Sequence, residues 1–136
     1  MGARVLLYVE DEDAAFVLFQ RALTAENINV QLHRASDGEE ALAFLRGTGF
    51  GSQRPRPDLV VLDLNLPRRD GLDVLSEIRK DGDLQALRVV IFTSSSLSAD
   101  KRKSLALGAQ DYITKPFTYD GFVEAVKAAC SHLPAQ

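Results

Sequence analysis

The fold class this sequence predicts is a doubly wound α/β domain, a five-stranded parallel sheet with helices on both faces. Three observations carry the prediction. Short aliphatic runs recur along the chain, segments with helical apolar spacing separate them, and no hairpin signal joins neighbouring runs. A length of 136 residues suits one unit, so residues 1–136 are expected to form a single domain with no second domain attached. Hydrophobic residues at 46% and charged residues at 26% are globular values, which argues against a disordered tail, a fibre or a coiled coil.

Arg4 to Val9 is a nearly continuous apolar run, as expected of a strand buried on both faces, and it stops at Glu10-Asp11-Glu12. From Asp13 to Glu26 the residues Ala15, Leu18, Phe19 and Ala22 recur at helical spacing, with Asp11 or Asp13 as the expected cap. Val30 to Ala35 alternates, placing Val30, Leu32 and Arg34 on one face. Asp37-Gly38-Glu39-Glu40 then opens a second helix that turns Ala41, Leu42 and Leu45 inward. The breakers between Gly47 and Pro57 predict a loop.

Leu59-Val60-Val61-Leu62 is uniformly aliphatic and runs directly into Asp63. Turn chemistry continues to Asp70-Gly71, after which Leu72, Leu75 and Ile78 mark a third helix. Arg88 to Phe92 is a fourth apolar strand, and Thr93-Ser94-Ser95-Ser96 is a polar turn suited to capping a helix from Ala99 to Leu107 that Gly108 closes. Asp111 to Thr114 is a short, half-polar fifth strand ending at Lys115-Pro116, and Phe122, Val126, Ala129 and Cys130 line one side of a last helix. Phe16, Phe19, Phe44 and Phe122 are expected in the core. Strands that alternate with helices in this way pair in parallel through right-handed crossovers.

Charge and cysteine usage exclude several function classes. Lys+Arg 16 against Asp+Glu 19 give a net charge of −3, which leaves no basic excess for a phosphate backbone, so direct nucleic-acid binding is not expected. Cys130 is the only cysteine, so it forms neither an internal disulfide nor a zinc site, and a reducing, cytoplasmic compartment fits. The apolar stretch from Val5 to Val9 is far too short for a signal peptide or a membrane span.

In an open parallel sheet, ligands bind beyond the carboxyl ends of the strands, so the residues after each apolar run carry the chemistry. Strand one delivers Glu10 and Asp11, strand three Asp63, strand four Thr93 and Ser94, and strand five Lys115. Carboxylates crowded at one rim repel one another by about 4 kcal/mol per close pair, and a hard divalent cation with oxygen ligands relieves that repulsion. Lys115 adds a compact positive charge. A metal, a lysine, a hydroxyl donor and a free carboxylate suit phosphoryl transfer, in which the carboxylate itself can be the nucleophile.

Val9-Glu10-Asp11, Leu62-Asp63-Leu64-Asn65-Leu66-Pro67 with Asp70-Gly71, Phe92-Thr93-Ser94, and Tyr112-Ile113-Thr114-Lys115-Pro116-Phe117 together resemble the receiver domain of two-component response regulators, the family typified by the chemotaxis response regulator. The resemblance spans nearly the whole chain. It implies a flavodoxin-like (β/α)5 fold with strand order 2-1-3-4-5. It also implies that Asp63 accepts a phosphoryl group from a sensor histidine kinase, with Mg²⁺ or Mn²⁺ held by Glu10, Asp11, Asp63 and the backbone carbonyl of Asn65. Thr93 is then the switch hydroxyl, Lys115 the phosphoryl contact, Tyr112 the aromatic switch, and the Lys115–Pro116 bond is expected to be cis. The family more often has two aspartates where this chain has Glu10-Asp11, so Asp11 is expected to ligate directly and Glu10 through water. Asn65 and Ser95 occupy positions that tune the lifetime of the acyl phosphate.

The loop from Gly47 to Pro57, the Asp-Leu-Asn-Leu-Pro wording and the lack of an output domain are further similar to small response regulators paired with bacterial phytochromes. That likeness implies a light-sensing histidine kinase, a bacteriophytochrome, as partner, and homodimerisation through the fourth helix, fifth strand and fifth helix. The expected protein is a phosphoacceptor signalling domain, with self-phosphorylation and slow autodephosphorylation as its only turnover. A phosphate-sink intermediary in a relay and an aspartyl-nucleophile phosphatase are the alternatives. The second commonly needs an acid two residues after the nucleophile, where this chain has Asn65. A flavodoxin-like flavin carrier shares the strand arrangement, but Glu10-Asp11-Glu12-Asp13 would repel a phosphate at its cradle.

Overall fold

In the computed structural model, which describes residues 3–47 and 54–135, the aliphatic runs are strands and the segments between them helices. The order is β1 (Arg4–Val9), α1 (Asp13–Ala25), β2 (Val30–Ala35), α2 (Gly38–Arg46), β3 (Leu59–Leu62), α3 (Gly71–Lys80), β4 (Val89–Thr93), α4 (Ser98–Ala106), β5 (Asp111–Thr114) and α5 (Tyr119–Cys130). All neighbouring strands pair in parallel in the order β2-β1-β3-β4-β5, which is the predicted 2-1-3-4-5 arrangement. Of the predicted Gly47 to Pro57 loop, residues 48–53 lie outside the described residues.

Strand alternation divides the core in two. Leu7, Val9, Val60, Leu62, Val89 and Ile91 pack with α2 and α3, whereas Leu6, Tyr8, Leu59, Val61, Val90 and Phe92 pack with α1 and α5. The chain therefore changes sheet face between β1 and β3, and a crevice opens at the carboxyl ends there. Strands β2 and β5 form the free edges. They are less buried than the three central strands, and β5 is four residues long and followed closely by Pro116.

Several local expectations need correction. The residue capping α1 is Glu12, with no side-chain hydrogen bond; Asp13 is the first helical residue and pairs instead with Arg34 across 2.7 Å. Leu97 caps α4 and, being apolar, offers no side-chain bond, while Ser95 of the predicted polar turn donates its hydroxyl to Asp100 at 2.6 Å. Phe16 and Phe44 are half-buried, each beneath an arginine guanidinium, while Phe19 and Phe122 are core as predicted. Val74 is buried and Leu72 only partly so, since the stripe of α3 runs through Val74, Leu75 and Ile78.

Gly108 and Gly71 are each required by their surroundings. Gly108 has φ +91° and ends α4 in the left-handed region, as predicted. At Gly71 a Cβ would lie 2.2 Å from the Asp63 carbonyl oxygen, so only glycine lets α3 begin against the turn after β3. Gly71→Ala is expected to destabilise the protein by about 1–3 kcal/mol, measured by chemical denaturation.

Burial pushes the Cys130 thiol up to about 11 from its ordinary 9.0. The unfolded chain therefore ionises first: stability is fully present below pH 9 and is lost as pH rises to about 11. Ultraviolet titration of the thiolate should show the native transition near 11, and Cys130→Ala should remove that alkaline loss.

Candidate functional site

The parallel ladder continues one residue past the strand ends and fixes the backbone of each loaded position. The Glu10 amide donates to the Ala35 carbonyl at 3.0 Å, the Asp63 amide to the Val9 carbonyl at 3.2 Å, and the Lys115 amide to the Thr93 carbonyl at 2.7 Å. By strand parity Glu10, Asp63 and Lys115 follow the residues that face α1 and α5, whereas Thr93 and Tyr112 follow those that face α3 and α4. The two sets meet only at the rim.

Glu10 is 0% exposed and Asp63 3% exposed, and one ammonium bridges them. Lys115 Nζ donates to Glu10 Oε1 at 2.5 Å and to Asp63 Oδ2 at 2.8 Å. Three further donors reach the two carboxylates. Glu10 Oε1 accepts the Tyr8 hydroxyl at 3.0 Å, Glu10 Oε2 accepts the Glu12 amide at 3.1 Å, and Asp63 Oδ1 accepts the Asn65 amide at 3.2 Å. Asp11 is exposed, and carboxylate oxygens of Glu10, Asp11 and Asp63 lie within 4.8 Å of one another.

Burial pushes the Glu10 carboxyl above the ordinary carboxylate range, and the Asp63 charge adds to the rise, against the opposing pull of Lys115 and the Glu12 amide. For Lys115, burial alone would lower the amine, but the charges and hydrogen bonds of Asp63 and Glu10 outweigh it and hold it above the usual lysine value. Burial raises the Tyr8 phenol as well, reinforced by the negative charge of Glu10.

Thr93 is buried at the end of β4, where its hydroxyl oxygen accepts the Ser95 amide at 3.4 Å. The Tyr112 hydroxyl donates to the Ser95 carbonyl at 2.8 Å, so Thr93 and Tyr112 grip the same turn. Asn65 is exposed, and its side chain is free of any bond to Asp63 among those seen. The Lys115–Pro116 bond is trans, contrary to expectation; the two forms of an X–Pro bond differ by only about 0.5–1 kcal/mol, so the dipeptide does not fix its isomer.

Two participants were not apparent from the sequence. Tyr8 counts as one more apolar residue of a buried run, although its spacing of two from Glu10 places both on the same face. Arg34 donates from Nε to the Glu10 carbonyl at 3.0 Å and stacks 5.0 Å from the Phe16 ring, which ties β2 to the acidic loop. The donor set at the rim consists of oxygens, with neither sulfur nor imidazole, and it fits a hard divalent cation of the Mg²⁺ or Mn²⁺ type.

Comparison with known proteins agrees with this geometry. Residues 6–127 match the response regulator receiver domain family. Response regulator Rcp1 of Synechocystis sp. is 41% identical over 112 residues, covering 82% of this chain and 76% of that protein. The probable methanogenesis regulatory protein FilR2 of Methanothrix harundinacea is 33% identical over 123 residues, covering 90% and 79% respectively. Among solved structures, the phosphorylated cyanobacterial phytochrome response regulator RcpA superposes with a TM-score of 0.88 at 34% identity, covering 98% of this chain and 100% of that one. The Mn²⁺-bound form of Rcp1 gives a TM-score of 0.86 at 37% identity, covering 97% and 99%. With the strand order, the acidic rim and the bridging lysine already in place, these matches make the chain a two-component receiver, a member of the response regulator receiver domain family.

Proposed function

We propose that Asp63 is the phosphoacceptor of this response regulator receiver domain and that a sensor histidine kinase is its donor. The observation that carries this reading is the near-complete burial of Asp63 beside Glu10 and Asp11, with the Lys115 ammonium on one of its oxygens. An Asp63 oxygen attacks the phosphorus of a phosphohistidine, the O–P bond forms as the N–P bond breaks, and the released imidazole takes a proton from solvent. Glu10, Asp11, Asp63 and the Asn65 carbonyl would hold the Mg²⁺ or Mn²⁺, which supplies charge neutralisation to the phosphoryl oxygens.

The chain's own residues do the rest. Lys115 already lies 2.8 Å from Asp63 and offers its third proton to the new oxygens. Thr93 donates its hydroxyl to the phosphoryl group, and the turn through Ser95 shifts with it. Because Tyr112 bonds the Ser95 carbonyl, that shift is passed to the α4-β5-α5 surface. The likeness to the phytochrome response regulator RcpA supports a phytochrome as the sensor, and a cytoplasmic location goes with that reading. No helix among the described residues is long and apolar enough to cross a membrane. A multiple-turnover phosphatase is not favoured, since an amide, Asn65, stands two residues after Asp63.

With acetyl phosphate and Mg²⁺, intact mass spectrometry should show one phosphoryl group on the wild-type chain and none on Asp63→Asn. Labelling of that variant at the wild-type level would overturn the acceptor assignment.

The α4-β5-α5 face is also the proposed homodimer contact. Leu97 at 65%, Leu105 at 44% and Phe117 at 106% exposure give it unpartnered apolar area, and Lys101, Arg102 and Lys103 on α4 oppose Asp120 and Glu124 on α5 in sign. Sedimentation of beryllofluoride-treated protein is expected to show dimers, and Leu105→Asp should weaken them by about tenfold or more.

A further inference from the structure

We propose that Tyr8 is a positioning residue of the phosphorylation site, acting through Glu10; this rests on the reading of Asp63 and its acidic neighbours given above. A carboxylate wholly removed from water needs donors for its oxygens. Glu10 has three, the Tyr8 hydroxyl, the Lys115 ammonium and the Glu12 amide. The lysine is the unreliable one. Its ammonium is shared with Asp63, and any anionic group added to Asp63 competes with Glu10 for the same protons.

Tyr8, by contrast, cannot leave. Its ring is fully buried, stacked on Phe19 with centroids 4.2 Å apart and flanked by Phe92 at 6.3 Å and Phe16 at 6.2 Å. It stands two residues before Glu10, which continues the ladder of β1 by one residue, so the strand alternation points both side chains to the same side of the sheet. The hydroxyl therefore holds Glu10 Oε1 whether Lys115 is turned to Glu10 or to the phosphoryl group. Tyr8 keeps the carboxylate in the cluster with Asp11 and Asp63 while the charge around it changes. Phenylalanine would fill the same space and provide no donor.

The experiment is Mg²⁺ titration of the full chain followed by amide NMR, with wild type, Tyr8→Phe, Glu10→Gln and the double variant. Loss of a group that orients a metal-binding side chain commonly lowers metal affinity by about tenfold or more, and that loss is expected for Tyr8→Phe. In the Glu10→Gln background the same substitution should change affinity by less than about twofold, since the hydroxyl then has no carboxylate to hold. A parallel readout needs no metal: the slowly exchanging Tyr8 hydroxyl proton should be visible in the free wild-type protein and shift in Glu10→Gln. Wild-type affinity in Tyr8→Phe, or an equal loss in both backgrounds, would overturn the positioning role and leave the acceptor assignment standing. A wild-type chain that takes up no Mg²⁺ would overturn both.

Discussion

Lys115 reaches between Glu10 and Asp63, two carboxylates that the fold has taken out of water, and its single ammonium makes their coexistence possible. Breaking a buried ion pair by removing one partner commonly costs about 3–5 kcal/mol, because a charge is left without compensation. Here one cation serves two anions. The arrangement is thus short of positive charge by construction, and an incoming divalent cation meets a site that already favours it. Stability of the resting rim and appetite for a metal are two aspects of the same electrostatic shortfall.

The sheet topology determines which side chains can take part. Because the chain crosses to the other face between β1 and β3, the ends of these central strands are left open, and the ladder bonds beyond Val9, Leu62 and Thr114 bring Glu10, Asp63 and Lys115 to one level. Parity then separates the charged trio from Thr93 and Tyr112. The trio belongs to the side of α1 and α5, the pair to the side of α3 and α4. On the α4 side of that rim the Ser95 turn is held by both Thr93 and Tyr112.

Much of this was legible in the sequence, and for stated reasons. The uninterrupted aliphatic runs of β1, β3 and β4 are the signature of strands covered on both faces, and each halts at a polar residue of the rim. Helix α4 was harder. It buries only Ser104, so no apolar stripe announces it, and Gly108 at its end was the better signal. Caps were misjudged where an acid had a stronger partner elsewhere, as Asp13 has in Arg34. The contact between Lys115 and Glu10 joins residues far apart in the chain, and the Tyr8 hydroxyl acquires its meaning only once Glu10 folds back over it. Local pattern encodes which face a residue takes; it does not encode which distant group waits there.

The two borders of the sheet bear on how copies of the protein can meet. Strand β2 is an edge strand with the polar residues Gln31, His33 and Arg34 among its six, and β5 is brief and followed closely by a proline that has no amide hydrogen to offer. Neither border invites a foreign strand to extend the hydrogen-bonded ribbon. Any self-association is thereby left to side chains on helical surfaces, where an isologous contact closes on itself instead of propagating.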